Sequence, residues 1–367
     1  MLVRKMKQSR IARIVVFIAV LVLVHAVFLV YPFLRLGEWL GWSGPWAVAA
    51  WSIIIFSQVI CRWPLRAVQG RGLRFLKQGL ELFLAVSPIV LLCVLLAEVL
   101  LLSGLIVEQT AGIGTALLLC LAVPAGIWQG ATPRTRSVNL VNKNVSAPLH
   151  LVQITDVHLG SRGAGFLRHI LEKVKILKPD ALCITGDFID VTNFPESALE
   201  PLSELSIPVY FVIGNHERYE DLEQIVDRLA RQGVIVLRNA TALLRPDVQI
   251  IGVDDSDDSG QLARWLPQIE QVDQAYKVLL YHRPAGLNQA ALAGLNLTLS
   301  GHTHNGQIWP FNLLVQRVFP MMRGLYHTKE CAHYVSQGTG TWGPVFRLGT
   351  RGEITSIWIR PSPNTRT

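Results

Sequence analysis

Long apolar runs dominate the first third of the chain, and they predict membrane-spanning helices. The runs lie at roughly Ile11 to Leu34, Trp46 to Ile60, Leu80 to Val107 and Ala111 to Trp128. A spanning helix needs about 20 apolar residues, because each residue rises about 1.5 Å along the axis. The first, third and fourth runs approach or exceed that length. The first is also too long for the apolar part of a signal peptide, so we interpret it as a retained anchor.

The second run allows two interpretations. At about 15 apolar residues it is short for a span, and a re-entrant or interfacial segment is the alternative. Extension back through Gly41 to Pro45 would lengthen it to a crossing. We therefore predict an N-terminal bundle of about four transmembrane helices over residues 1–128.

Shorter elements follow residue 128, and their pattern changes from continuous to alternating. Residues 129–147 are polar without a clear period, which is typical of a linker. From 148 to 362, β-rich runs alternate with helical patterns. In the stretch 166–177, apolar residues recur at the spacing of one helix face and stop before Pro179. Such alternation predicts a layered α/β domain. The predicted strands are LHLVQIT, ALCIT, VYFVI, VIVL, VQIIGV, YKVLLY, LNLTLS, AHYVSQ and EITSIWI, and PESALEPLSEL and LARWLPQIEQV are predicted helices.

The charge of the chain is concentrated in its first part. Residues 1–147 hold 14 basic and four acidic side chains, a net of +10, whereas the whole chain carries +8. The basic residues lie between apolar runs, so they indicate membrane topology rather than nucleic-acid binding, and no nucleic-acid partner is expected.

Basic residues flank alternate loops and so predict an orientation. The N-terminus and the segment between the second and third runs are basic, but the segments between the first and second and the third and fourth runs hold one basic residue in total, Arg35. The positive-inside rule places the basic segments in the cytoplasm. Four crossings would then return the chain to the cytoplasm after Trp128. We predict a multi-pass protein of a bacterial-type inner membrane with a cytoplasmic C-terminal domain, and this orientation reverses if the second run does not span.

Polar residues with metal-binding chemistry follow five of the predicted strands. In open α/β sheets, ligands bind beyond the carboxyl ends of the strands. Any one of these motifs would be an ordinary turn or cap, but their recurrence at one sheet edge is not typical of turns. The motifs are DVH with Asp156 and His158, GDFID with Asp187 and Asp190, GNHE with Asn215, His216 and Glu217, YHRP with His282, and GHTHNGQ with His302 and His304.

The donor types narrow the choice of metal. Carboxylate, amide oxygen and imidazole together suit Mn, Fe or Zn, and the absence of a thiolate among these motifs argues against a structural zinc site. His302 and His304 lie two residues apart, so in an extended segment their side chains share a face. The flanking Gly301 and Gly306 would allow a tight turn close to the site.

These five motifs, in this order, resemble the calcineurin-like metallophosphoesterases. The resemblance covers about residues 149–360. The last part, GHTHNGQ followed by YVSQGTGTWGPVFR and EITSIWI, is similar to the membrane-associated bacterial branch of that family. That branch often has glycine where this chain has Asn305, which we expect to affect the surroundings of the ligands rather than to remove one.

The resemblance implies a binuclear centre with two divalent ions. One ion would be held by Asp156, His158 and His304, and the other by Asn215, His282 and His302. Asp187 would bridge both ions. His216 would stabilise or protonate the leaving oxygen, and Asp190 and Glu217 would orient imidazoles. Arg283, Arg218 and Arg323 are candidates for contact with substrate phosphate, with a solvated surface as the alternative for each.

The implied function is a membrane-anchored phosphohydrolase that cleaves phosphoester or pyrophosphate bonds by attack of metal-bound hydroxide. The substrate is expected to be phosphorylated, and a lipid-linked or nucleotide-linked substrate is a hypothesis that follows from the anchor. A non-catalytic metal-binding scaffold or regulatory module of a membrane complex is the alternative. A transporter is disfavoured, since ionisable residues inside the runs are few, chiefly His25 and Glu98.

Overall fold

The computed structural model describes residues 2–65, 71–328 and 331–362. The chain divides into two compact units, Met1–Gly126 and Ile127–Thr367. Arg66, one of the basic residues used to predict the orientation, lies outside the described residues.

The first unit is helical, and the prediction of four long apolar helices is confirmed. Among the described residues, four stretches are long and apolar enough to cross a membrane: Val15–Trp39, Gly44–Arg62, Gly72–Leu102 and Glu108–Ala131. The helices are α1 (Leu2–His25), continued through a π-turn at Ala26–Val30 into α2 (Tyr31–Trp39), then α3 (Gly44–Arg62), α4 (Arg71–Leu102) and α5 (Glu108–Ala131).

The second apolar run lies in a helix longer than the run itself. Helix α3 begins at Gly44 with Pro45 in its first turn, where proline lacks only an N–H that the helix would not use. An 18-residue stretch of this 19-residue helix has a mean hydropathy of 1.6, the lowest value among the four helices in the described chain. By length and composition it suffices for a crossing.

The second unit contains two six-stranded sheets. The strands of the first, in spatial order β1-β12-β2-β3-β4-β5, are β1 (Arg134–Asn142), β12 (Glu353–Pro361), β2 (Leu149–Ile154), β3 (Ala181–Thr185), β4 (Val209–Val212) and β5 (Ile235–Val236). Those of the second, in the order β10-β11-β9-β8-β7-β6, are β10 (Gly324–Thr328), β11 (Cys331–Val335), β9 (Leu297–Ser300), β8 (Tyr276–Leu280), β7 (Val248–Gly252) and β6 (Ala240–Arg245). The neighbours β2, β3 and β4 are parallel, as are β7, β8 and β9.

Three hydrophobic layers hold this unit together, which confirms the predicted layered α/β fold. The middle layer packs one sheet on the other, with Leu151 and Val278 among its fully buried members. The outer layer of the first sheet is covered by α6 (Ala164–Leu177) and α8 (Leu222–Arg231), and that of the second by α9 (Gln261–Trp265) and α10 (Leu287–Leu292).

Helix α6 shows how the sequence specifies this packing. Leu167, Ile170, Leu171 and Val174 recur on one face and are all buried, each contributing about 1.5–3 kcal/mol relative to exposure. The helix ends at Lys178, whose left-handed φ of 49° closes the last turn before Pro179.

Three predicted elements differ from the structure. The stretch 134–142, expected within a linker, is the edge strand β1, which pairs in parallel with β12. Of its nine residues, all of which are described, only Val138 is buried. The apolar pattern of this strand is therefore weak. The two helices predicted at 195–205 and 262–272 are short turns instead: 3₁₀ turns at Glu196–Ala198 and Glu200–Leu202, and α9 followed by a 3₁₀ turn at Leu266–Gln268. Pro201 and Pro267 lack the N–H that a longer helix needs.

Candidate metal centre

The chemistry-bearing residues follow the carboxyl ends of five strands as the sequence pattern predicts, but the strands belong to two sheets and not to the single sheet that the pattern suggested. Asp156 comes two residues after β2, Asp187 two after β3, and Asn215 three after β4, at the start of the short helix α7 (Asn215–Arg218). In the other sheet, His282 and His302 each come two residues after β8 and β9. All of these side chains are buried or nearly so.

The structure brings six of the seven candidate ligands into two groups. In each group, one possible ligand atom per residue lies within 4.8 Å of the others. Asp156, His158 and His304 form one group, and Asp187, His282 and His302 form the other.

The first group has two imidazole nitrogens that face each other. Nε2 of His158 lies 3.0 Å from Nε2 of His304, which lies 3.4 Å from Oδ1 of Asp156. His158 donates from Nδ1 to Oδ1 of Asp190 at 2.7 Å. In the neutral form of the His158 ring, this tautomer has a lone pair on Nε2, directed at His304.

The second group is organised in the same way. His282 donates from Nδ1 to the carbonyl of Thr185 at 2.8 Å, so in the neutral form of the ring Nε2 carries the lone pair. That Nε2 lies 3.2 Å from Oδ2 of Asp187 and 3.2 Å from Nδ1 of His302. Carbonyl and carboxylate partners on the outer ring nitrogen are the usual support of metal-ligating histidines.

Asn215 supplies the sharpest test of whether these residues fit a metal. Its Oδ1 is buried and, within the described part of the chain, accepts no hydrogen bond. An unpaired buried oxygen costs about 1–3 kcal/mol, so such atoms are uncommon in native structures. A hard or borderline cation is the partner that an amide oxygen, carboxylates and imidazoles share. The donor set therefore fits divalent ions.

The pKa values of the imidazoles diverge within each group. Burial lowers the pKa of His158, but Asp190 outweighs it, and the pKa rises to about 9. For His282, Asp187 likewise outweighs burial and raises the pKa to about 10. Burial and the charge of His282 lower the pKa of His302 to about 3. The carboxylate of Asp187 acts on both His158 and His282, which lie in different groups.

His216 belongs to a third group of possible ligand atoms, together with His158 and Asp190, beside the two groups described above. Its Nδ1 donates to Oδ1 of Asp190 at 2.9 Å, and its Nε2 lies 3.9 Å from Oδ2 of Asp187. Burial lowers the pKa of His216, but the hydrogen bond to Asp190 and the nearby carboxylates produce a net rise above 6.5. The side chain is 21% exposed, so the ring is accessible from solvent.

Asp190 contacts two imidazoles, whereas Glu217 contacts backbone groups. Asp190 accepts from both His158 and His216. Glu217 is fully buried, and its hydrogen bonds in the described structure are to backbone N–H groups of Asp187, Phe188, Ile189 and Gly214 at 2.6–3.0 Å. It holds the loops after β3 and β4 together. Burial and the charge of Asp187 raise its pKa to about 7.

The glycines of the last motif allow a close approach of the backbone. A Cβ on Gly301 would lie 2.2 Å from Oγ1 of Thr155 and 2.3 Å from Oδ2 of Asp156, so only glycine fits there. Asn305 adopts a left-handed φ of 51° and donates from Nδ2 to Oε1 of Gln337 at 3.2 Å. This hydrogen bond connects the ligand loop to the segment that follows β11.

Left-handed backbone is a shared property of the ligands. Five of the seven have a positive φ: Asp156 at 53°, His158 at 55°, Asp187 at 47°, His302 at 73° and His304 at 48°. Residues other than glycine seldom adopt this conformation.

Arg283 and Arg218, candidates for substrate contact, are paired with carboxylates. Arg283 donates to Asp255 at 2.7 Å and to Asp257 at 2.5 Å. Arg218 donates to the same two residues at 2.7 and 2.9 Å. Arg323 is exposed. Arg283 and Arg218 are therefore held in ion pairs and do not form a free basic surface.

The structure adds two residues to which sequence reasoning gave no role. Asp255 has a buried carboxylate that joins Arg218, next to the motif of Asn215, with Arg283, next to His282. It follows β7, at the same sheet edge as the ligands, and that position is the signal that could have identified it. Arg347 is fully buried and donates to Nδ1 and the carbonyl of His304, both within 3.1 Å. Burial and the charge of His158 lower the pKa of His304 well below the usual 6.5, and the charge of Arg347 adds to this effect.

Comparison with known proteins identifies the same region. The family model of the calcineurin-like phosphoesterases matches residues 149–306. The chain is 34% identical over 240 residues to an uncharacterized metallophosphoesterase of Campylobacter jejuni, covering 62% of this chain and 64% of that protein. It is 33% identical to a transmembrane protein with metallophosphoesterase domain of Danio rerio, covering 58% of this chain and 53% of the other. The chain thus spans between half and two thirds of the lengths of these relatives.

A third relative is matched along most of its length. An uncharacterized metallophosphoesterase of Aquifex aeolicus is 32% identical over 234 residues, which cover 59% of this chain and 87% of that protein. The chain belongs to the calcineurin-like metallophosphoesterase family.

Proposed function

We propose that the protein is a membrane-anchored phosphohydrolase with two divalent ions at the centre described above. The observation that carries the proposal is the convergence of two ligand groups beside an unpaired Asn215 oxygen, with His216 held next to them. Asp156, His158 and His304 would hold one ion, and Asn215, His282 and His302 the other. Asp187 would bridge them, which agrees with the effect of its charge on imidazoles of both groups. The ions would be Mn, Fe or Zn.

Bound divalent ions would supply positive charge for the phosphoryl oxygens and lower the pKa of a water molecule. The protein side chains then position the substrate and transfer protons. Asp190 fixes the ring of His216 through Nδ1 and favours its protonated form, so Nε2 can donate a proton to the leaving oxygen. Arg347 and the glycine at 301 keep the His302–His304 loop in place against Asp156.

The substrate class that we propose is a phosphoester or pyrophosphate. Helices able to cross a membrane favour a substrate presented at a lipid surface, so a lipid-linked or nucleotide-linked pyrophosphate is the narrower hypothesis. Hydrolysis of soluble nucleotides with no action on lipid pyrophosphates would exclude the lipid-linked form. We further propose that the phosphoesterase unit is cytoplasmic, as the basic loops predict.

The proposal is tested by metal content and hydrolysis in the same preparations. The full chain in detergent is assayed for bound metals by mass spectrometry and for cleavage of generic phosphomonoesters and phosphodiesters. We expect Asp187→Ala to lose metal and activity together. His216→Ala should retain metal but lose about 10²–10⁴-fold in kcat, the usual contribution of a general acid.

The controls are surface residues of the same types. Asp227→Ala and His169→Ala remove exposed side chains on α8 and α6 and should leave both measurements unchanged. If the hydrolysis rate were the same in wild type, Asp187→Ala and His216→Ala, the proposed function would be wrong. Bound metal without hydrolysis of any phosphoester would favour the scaffold alternative.

A further inference from the structure

An exposed apolar segment lies directly beside the metal centre. Residues 308–323, IWPFNLLVQRVFPMMR, include helix α11 (Asn312–Val318) and connect the ligand loop to β10. Trp309, Phe311, Leu313, Leu314 and Val318 are each 43–71% exposed. None of the seven residues of α11, all of which are described, is buried.

The segment is fixed to the ligand loop at both ends. At one end, Gly306 lies so close to Asn312 that a Cβ on the glycine would be 2.4 Å from the Cα of Asn312. At the other, Thr303 donates to the carbonyl of Met322 at 2.6 Å, and the ring of Phe319 packs edge-on against His302 with centroids 5.1 Å apart. The apolar side chains therefore face outward from a loop whose position is set by the site.

Single exposed apolar residues are normal, but a cluster of this kind is not. Soluble proteins seldom expose contiguous large apolar side chains, and such clusters mark interaction surfaces. Isolated examples occur elsewhere in the same unit, such as Ile176 on α6 and Leu292 on α10, which are 76% and 78% exposed. These two residues are exposed but not clustered, so they serve as controls for the clustered residues of 308–323.

The charge of the segment indicates what it contacts. Its two charged residues, Arg317 and Arg323, are both basic and exposed, and it contains no Asp or Glu. Aromatic and aliphatic residues beside arginine are the composition of segments that insert shallowly into a bilayer interface and attract anionic headgroups. The same chain has helices able to cross a membrane, so a bilayer is its expected surroundings.

We propose that residues 308–323 dock on the surface of a lipid bilayer, with Trp309, Phe311, Leu314 and Val318 in the interface and Arg317 and Arg323 at anionic headgroups. This contact with the bilayer does not depend on the reaction that the site performs.

The test is photocrosslinking of the full chain in nanodiscs of phosphatidylcholine and phosphatidylglycerol. The photoreactive residue p-benzoyl-phenylalanine replaces Leu314, and in matched controls it replaces Leu292 or Ile176. Mass spectrometry identifies what is attached. We expect a several-fold excess of lipid adduct at position 314 over both controls.

The charge contribution is tested in the same assay. Arg317→Glu together with Arg323→Glu should reduce the lipid adduct at 314 in the anionic discs, and the reduction should be absent in discs of phosphatidylcholine alone. Both arginines are exposed, so the fold should be unaffected, and melting of the variant checks this.

Three outcomes would overturn the proposal. Crosslinks from 314 to a second copy of the chain would show that the segment is a protein interface. Equal lipid adducts at 314, 292 and 176 would show unspecific contact. No adduct at 314 in either type of disc would show that the segment faces solvent.

Discussion

At the scale of single residues, the second unit (Ile127–Thr367) keeps some titratable groups neutral by burial and not by ion pairing. His333 on β11 is fully buried, and its Nε2 lies 3.0 Å from Oγ of Ser300. The Ser300 hydroxyl donates its hydrogen to the carbonyl of Tyr281, so the histidine must be the donor in this contact. Its Nδ1 has no partner in the described structure. A second proton there would be buried without an acceptor, and desolvation lowers the pKa of His333 to about 4.

This histidine should make stability depend on pH. The unfolded chain binds a proton near pH 6.5 and the folded chain near 4, so between these values the unfolded state binds more protons. Stability is therefore full above pH 6.5 and falls as the pH drops towards 4, by up to about 3 kcal/mol.

The measurement is the melting temperature of the full chain in detergent at pH values from 7.5 to about 4.5. This range covers most of the interval between the unfolded and folded pKa values of His333. His333→Gln keeps a donor for Ser300 without titrating, so its melting temperature should fall less over that range. His169→Gln, on the exposed face of α6, is the matched control. Parallel curves for all three proteins would contradict the prediction.

The positions of the candidate ligands were predictable because each motif follows an apolar strand, although these strands belong to two sheets and not to one. Asp156, Asp187 and His282 stand at positions that the apolar strand pattern identifies. The roles of Glu217 and Arg347 were not predictable, since they depend on which backbone groups lie near them after folding. A sequence shows that a carboxylate is next to a ligand, but not that it accepts four backbone N–H groups.

At the scale of elements, loops from different strands are held to one another by a few buried charges. The turn after β7 supplies Asp255, which pairs with Arg218 on α7 and Arg283 after β8. These arginines are sequence neighbours of the Asn215 motif and of His282. Asp255 therefore connects the segments that carry two candidate ligands, Asn215 and His282, without contacting either group of candidate ligands.

Asp255→Asn should reduce metal affinity about tenfold, in the range found when partners of metal ligands are removed. Asparagine keeps the shape of the side chain but removes the charge that both arginines share. The measurement is competition with a chelator at a temperature where the variant is folded, together with kcat and KM.

Asp257 provides the matched control, because it contacts the same two arginines while its side chain is 69% exposed. Exposed ion pairs contribute little, so Asp257→Asn should bind metal almost as the wild type does. An equal loss in both variants, or unchanged affinity in Asp255→Asn, would show that Asp255 does not position the ligands.

Long, strongly patterned elements were predicted correctly, and weakly patterned ones were not. Nearly all residues of the strands β2, β3, β4, β8 and β9 are buried and most are apolar, because parallel strands are covered on both faces. β1 at a sheet edge has a single buried residue, Val138, among its nine described residues, so no apolar pattern marks it. Edge strands are specified by their partner, and the pairing of β1 with β12 joins residues more than 200 positions apart.

At the scale of the whole molecule, the basic loops and the number of crossings predict which compartment contains the second unit, Ile127–Thr367. Helix α3 is the element on which this depends, since one crossing fewer would reverse the result. Its length of 19 residues supports the crossing.

Reporter fusions in a bacterial host test this orientation. Green fluorescent protein at the C-terminus should fluoresce, and alkaline phosphatase at the same position should be inactive, because it needs an oxidising compartment to form its disulfides. Alkaline phosphatase fused after Gly104, between α4 and α5, should be active. The opposite pattern would place the unit outside the cytoplasm and show that α3 does not cross.

The left-handed backbone of the five ligands limits how many mutations the phosphoesterase unit can accumulate. Each such residue costs about 1 kcal/mol or more, so the site removes on the order of 5 kcal/mol from a domain whose net stability is typically about 5–15 kcal/mol. A typical substitution costs about 1 kcal/mol, so the unit reaches its unfolding threshold several substitutions earlier than its core alone would allow. Glycine at Asp187 or His304 would relax one of these residues and return about 1 kcal/mol, but it would also remove a candidate ligand. Mutational robustness and the proposed metal binding therefore oppose each other at the same five positions.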